Sequence, residues 1–205
     1  YLAGTIKKSK DDTESYWLSE HMTMLQALIP HATLVFLNPA QRSDNLQDQT
    51  SVFGRDLFQV FSSHIVLVDA REKRGLGVGS EMMFAKMNRI PVVTWLPEDS
   101  HYHRKEIHLL GQDVKNWIHP FIYNLSDYIA PTLEAAGKWI SSFVNRETKE
   151  IKGIDQITHA IEYYLTHQLH NDQFMDKLVK KHDHFMNNPQ KNKESIRVEP
   201  IPSIR

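Results

Sequence analysis

Four apolar runs of strand length, separated by stretches of helical periodicity, constrain what this chain of 205 residues can fold into more than any other feature. The runs are "YLAGTI" at 1–6, "ATLVFLNP" at 32–39, "HIVLVDA" at 64–70 and "IPVVTWLP" at 90–97. Between the first two lies "YWLSEHMTMLQALI", whose residues Trp17, Leu18, Met22, Leu25 and Leu28 or Ile29 recur at helical spacing. "FGRDLFQVFSS" reads as a short helix before the third run, and "SEMMFAKMN" as a helix before the fourth. A strand exposed on one face alternates polar and apolar residues, whereas these runs are apolar throughout. Strands of that kind belong in a parallel sheet covered on both faces by the intervening helices. The expected fold class is therefore α/β: a doubly wound, mostly parallel sheet, flavodoxin- or Rossmann-like, with a C-terminal helical appendage.

Beyond Pro97 the pattern weakens. "EDSHYHRKEIHLLGQDVKNWIHP" reads as polar and irregular with a short helix, "FIYNLSD" as a last edge strand, and "APTLEAAGKWISSFVNRE" as a helix with Pro131 near its start. These boundaries imply a core domain over 1–146, a helical appendage over 147–186 and a tail over 187–205. The 24 basic and 25 acidic residues nearly cancel, which argues against a nucleic-acid polymer or a polybasic membrane surface as partner and favours small molecules. With no cysteine, thiolate metal sites and cysteine nucleophiles are excluded. No run approaches the ~20 apolar residues of a membrane span, and the expected location is cytoplasmic.

The chemistry concentrates in "GLGVGSE", where Gly75, Gly77 and Gly79 precede Glu81. A dinucleotide fingerprint needs G-x-G-x-x-G in the turn directly after the first strand. Here the spacing is G-x-G-x-G, "DAREKR" intervenes, and the unit is not the first. The reading that fits better lets a sugar lie against the glycines, with Glu81 opening the helix and kept ionised by the positive helix start. A carboxylate suits attack at an anomeric carbon, because the transition state there is oxocarbenium-like. A second carboxyl must assist the leaving group, and Asp56 and Asp69 are the candidates. Each also has a purely structural reading, as a first-turn or capping acid. Met82 is most simply a core residue, although Met82 or Trp117 could close a base pocket. The 12 histidines show no metal-ligand spacing, and Ser80 lacks the strand–turn–helix elbow of a serine hydrolase. No metal or organic cofactor is required.

"YLAGTI", "RDLFQVFSSHIVLVDA" and "GLGVGSEMMFAKMNRIPVV", in this order, resemble the nucleoside 2-deoxyribosyltransferases and the related 2'-deoxynucleoside 5'-monophosphate N-glycosidases. The resemblance implies that Glu81 is the nucleophile of a covalent glycosyl-enzyme, that Asp56 sits by the sugar and leaving base, and that Tyr1 and Gly4 line the pocket. It also implies a homo-oligomer whose subunits complete each other's pockets, with "NWIHPFIYN" and the C-terminal helix as contact surfaces. Six residues before the glutamate, where the transferases tend to carry an aspartate and the hydrolases a serine, this chain has Gly75. Base preference, 5'-phosphate and hydrolysis against transfer are left open. Lys7, Lys8, Ser9, Lys73 and Arg74 are the candidates for a phosphate contact. A nucleoside or nucleotide is the expected ligand, and a non-catalytic nucleotide-sensing module signalling through the C-terminal helices is the alternative.

Overall fold

The computed structural model describes residues 1–6, 16–147 and 151–182. Contacts divide the chain into two compact units, Tyr1–Ile157 and Thr158–Arg205.

The first unit is an α/β fold built on a parallel sheet. Strands β1 (Leu2–Ala3), β2 (Val66–Asp69), β3 (Val92–Trp95) and β6 (Tyr128–Ala130) lie in the order β1-β2-β3-β6, every pairing parallel. The helices are α1 (Ser19–Leu28), α2 (Gln49–Phe61), α3 (Leu76–Met87), α4 (Pro120–Leu125) and α5 (Leu133–Val144). Strand side chains alternate between two cores because the pleat has a period of two. Ala3, Val66, Val68 and Val92 face one core with Val60 of α2, Met82 and Ala85 of α3, and Leu125 of α4. Leu2, Leu67 and Val93 face the other with Leu25 of α1 and Ala136 and Ile140 of α5. Both faces are covered, as the continuous apolar runs require, and each fully buried Val or Leu contributes about 1.5–3 kcal/mol. Gly137 lets α5 lie close on α1, since a Cβ there would come 2.6 Å from Leu28 Cδ1.

Three expectations are corrected. The run 32–39 forms no strand ladder: residues 33–38 belong to no helix or strand, and the Leu37 carbonyl accepts one bond from the Leu2 N–H at 3.0 Å. A strand needs partner carbonyls and N–H groups over several residues, and β1 offers two residues. The stretch 98–120 is not irregular but contains an antiparallel hairpin, β4 (His103–Leu109) and β5 (Gln112–Ile118). Its two-residue turn places Leu110 at φ 49° and Gly111 at φ 83°, both left-handed as a hairpin turn of this length demands. Residues 121–127 are not an edge strand: Pro120 starts α4, and the last sheet strand, β6, follows at Tyr128.

Within the first unit, a buried ionic knot holds the segment that precedes helix α6 (Ile154–His167). Asp127 accepts from the backbone N–H groups of Val92 and Lys152, both at 2.6 Å, and pairs with the buried Lys86 ammonium. In the second unit, Asp172 caps α7 (Gln173–Lys181) and accepts the Tyr164 hydroxyl at 2.8 Å. Among the described residues no helix is long and apolar enough to cross a membrane.

Candidate functional site

Helix α3 does not begin at Glu81. It begins at Leu76, capped by the extended Gly75, so Glu81 sits in its second turn. The positive end of the helix dipole fades within the first turn, and the expectation that the helix start keeps Glu81 ionised is overturned. Burial instead pushes the Glu81 carboxyl above its ordinary value; a hydrogen bond from Tyr1 opposes this, and the nearby charge of Asp56 adds to it. The Tyr1 hydroxyl donates to Glu81 Oε1 at 2.7 Å. Tyr1 is itself held neutral by burial and by Glu81, so it remains a donor at any working pH. Among the described residues no hydrogen bond reaches the second oxygen, Oε2.

Asp56 comes to this pair from α2, whose Asp48 cap receives the Ser51 N–H at 3.0 Å. Its charge acts on Tyr1 and Glu81 alike. Two guanidinium groups hold it: Arg42 Nη1 donates to both carboxylate oxygens at 3.2 and 3.4 Å, and Arg55 Nη1 donates to one at 3.4 Å. Arg42 lies in the polar loop after Pro39, in which sequence periodicity offers nothing to mark it.

Asp69, at the end of β2, is fully buried. Burial pushes its carboxyl up, but the Arg71 hydrogen bonds and the Arg74 charge outweigh that and hold it below the ordinary aspartate value. Arg71 grips it at 3.0 and 2.9 Å while stacking on Trp95, and Arg74 approaches it at 2.9 Å. Arg74 also donates to Thr5 Oγ1 at 2.6 Å, and its side chain is 4% exposed. Asp69 thus pins the loop between β2 and α3, and Arg74 is engaged with Asp69 and Thr5. Lys73 is exposed, whereas Lys7, Lys8 and Ser9 lie outside the described residues.

The glycines divide. A Cβ on Gly77 would lie 4.0 Å from Glu81 Oε1, and on Gly4 it would press on Trp17 at 3.1 Å and on Asp69 at 3.4 Å. Gly75, Gly79 and Met82 instead line a cavity of about 720 Å³ on the neighbouring flank of α3. Its walls include Phe53 and Leu57 of α2, with Tyr102, His119 and Phe121 around the hairpin base and α4. His119 is packed among Tyr102, Trp117 and Phe121, and burial followed by the charge of His101 lowers its pKa. Neither Glu81 nor Asp56 lines this cavity. A second aromatic group, Trp17, His21 and Trp95, gathers at the carboxyl edge of the sheet beside Arg71. Tyr102, His119 and this aromatic group were not marked by the sequence, since each depends on residues brought together from distant segments.

Chemically, the set offers a half-buried carboxylate with one oxygen held by a phenol, a second carboxylate held by arginines, and space created by missing side chains. No group of three or more metal-ligating side chains occurs among the described residues. The chain matches no protein-family model, and no curated protein or solved structure aligns with it significantly.

Proposed function

We propose that this protein cleaves or transfers the N-glycosidic bond of a (deoxy)nucleoside or its 5'-monophosphate, with Glu81 as nucleophile. The observation that carries the reading is the Tyr1–Glu81 hydrogen bond of 2.7 Å within the electrostatic reach of Asp56. Tyr1 fixes Oε1, so Oε2 is the oxygen that attacks C1'. As the C1'–O bond forms, the bond from C1' to the base nitrogen breaks and its electron pair leaves with the base. Asp56 assists by a hydrogen bond or proton to the departing group. Water or a second base then attacks C1', and the glutamate departs as a carboxylate. Burial strengthens this step, because a desolvated carboxylate answers a developing oxocarbenium charge more strongly than a hydrated one.

The finer fold assignment belongs to the same reading. Counting the stretch 33–38, joined to β1 by the single Leu2–Leu37 bond, as an edge strand beside β1 would give a flavodoxin-like doubly wound order, whose switch point falls between β1 and β2. Gly4, just after β1, and Asp69, the last residue of β2, stand at the carboxyl ends of these strands, where open α/β sheets take their ligands. The chain further assembles as a homo-oligomer: Leu76, 95% exposed, and Phe121, 66% exposed, surround an apolar cavity that a second copy would cover. The protein is cytoplasmic and works without cofactor. The test is a panel of nucleosides and 5'-monophosphates, each with and without an acceptor base, followed by chromatography. Release of free base supports hydrolysis and a new nucleoside supports transfer. A ligand that binds without loss of its base favours the sensing module, the reading to which the separate compact unit from Thr158 lends support.

A further inference from the structure

The loop between Pro39 and Asp48 does more than join two elements. It carries Arg42 and Asp44, which with Arg55 and Asp56 of α2 form a charge-balanced quartet beside Tyr1 and Glu81. Its bonds are unequal. Arg42 meets Asp44 through two parallel bonds, Nε to Oδ1 at 2.8 Å and Nη2 to Oδ2 at 2.6 Å. That is the fork geometry in which arginine and carboxylate bind most strongly. The bonds from Arg42 and Arg55 to Asp56 run from 3.2 to 3.4 Å, the long end of the hydrogen-bond range. Arg42 is 10% exposed at its side chain, and the loop is fastened independently, since Arg55 Nη2 donates to the Gln41 carbonyl at 2.7 Å. The Ala40 N–H is taken by Asn38 Oδ1 at 2.9 Å.

From this asymmetry we propose that Arg42 is a positioning residue for the glycosyl chemistry, buttressed by Asp44, that aims the Asp56 carboxylate while leaving its lone pairs available to the substrate. The inference rests on the glycosidic reading above. If Arg42 served only to hold the loop, its fork to Asp44 would be enough. Reaching past Asp44 to both oxygens of Asp56 orients the plane of a carboxylate that would otherwise rotate about its own side-chain torsions. A short, strong pair on Asp56 itself would saturate the oxygens that the leaving base needs. Asp44 prevents this by holding the guanidinium back.

The test is a double-mutant cycle on the full chain, using a 2'-deoxynucleoside or its 5'-monophosphate with release of base as the readout. Arg42→Ala should lower kcat about tenfold or more with little change in KM, and Asp56→Asn should lower it further. If Arg42 acts through Asp56, adding Arg42→Ala to Asp56→Asn costs nothing more. Asp44→Asn, which frees the fork, should also lower kcat. Arg42→Lys keeps the charge but cannot span two carboxylates, so it should show the same dependence on Asp56 and serves if Arg42→Ala does not fold. Losses that multiply independently in the double variant, or a wild-type kcat in Arg42→Lys, overturn this inference alone. A wild type that releases no base from any nucleoside or monophosphate overturns the glycosidic reading, and this inference with it.

Discussion

Glu81 stands under opposed influences: burial and the Asp56 charge disfavour its ionised form, and the Tyr1 hydrogen bond favours it. A nucleophile must be ionised, so kcat/KM should rise with pH through a Glu81 value above the ordinary 4.5 of glutamate. In Tyr1→Phe the one influence that lowers this value is gone. The acid limb should therefore move to higher pH, measured as kcat/KM across the acidic range, and a limb that stays in place would remove Tyr1 from this role. Glu81→Gln keeps shape and hydrogen bonding without the attacking charge, so turnover should fall below about one hundredth of wild type, more than ~2.7 kcal/mol. Circular dichroism should show the fold retained. At this scale the sequence singles out Glu81 by its type and immediate neighbours, whereas its bond to Tyr1 comes from a residue 80 positions away and leaves no local mark. Glu81 is not at a helix start, because glycine costs only about 1 kcal/mol in a helix interior and α3, with Gly77 and Gly79 inside it, starts five residues before the glutamate.

The buried core strands β2 and β3 could be read from their apolar runs, because burial on both faces leaves a direct compositional mark. The hairpin could not. Its strands are polar and exposed, and its turn uses Leu110 at φ 49° rather than the asparagine or aspartate that signals such turns. Nor could periodicity reveal the loops that brace the site, since salt bridges between distant segments leave no local pattern. Asp69 illustrates their weight. Its folded value lies below the ordinary 3.8, so its contribution to stability is fully present above that pH and is lost as pH falls through the folded value. Asp69→Asn leaves Arg71 and Arg74 without their charge partner and should destabilise the protein by about 3 kcal/mol near neutral pH. Denaturant melts of both proteins should converge as the solution is acidified below pH 4. A difference that persists unchanged in acid would show that packing, not charge, is what Asp69 supplies.

Across the whole molecule, the parallel sheet brings the ends of β1 and β2 together, so residues some 80 positions apart, Tyr1 and Glu81, share one hydrogen bond. The apolar surface around Leu76, Phe53 and Phe121 is too large a fraction of these side chains to leave in water without consequence. Sedimentation at micromolar concentration should give a dimer or larger, and Phe121→Glu should shift it toward monomer. A wild type that sediments only as monomer would contradict the assembly. The covalent intermediate proposed on Glu81 can be measured directly. Wild-type protein is incubated with a slow 2-fluoro-2-deoxyribosyl nucleoside, its intact mass is recorded, and the adduct is mapped by peptide digestion. A mass increase of one fluorinated glycosyl unit on the peptide containing Glu81, absent in Glu81→Gln, is the expected result. Release of base with no adduct on that peptide, or an adduct mapped elsewhere, would contradict Glu81 as the nucleophile.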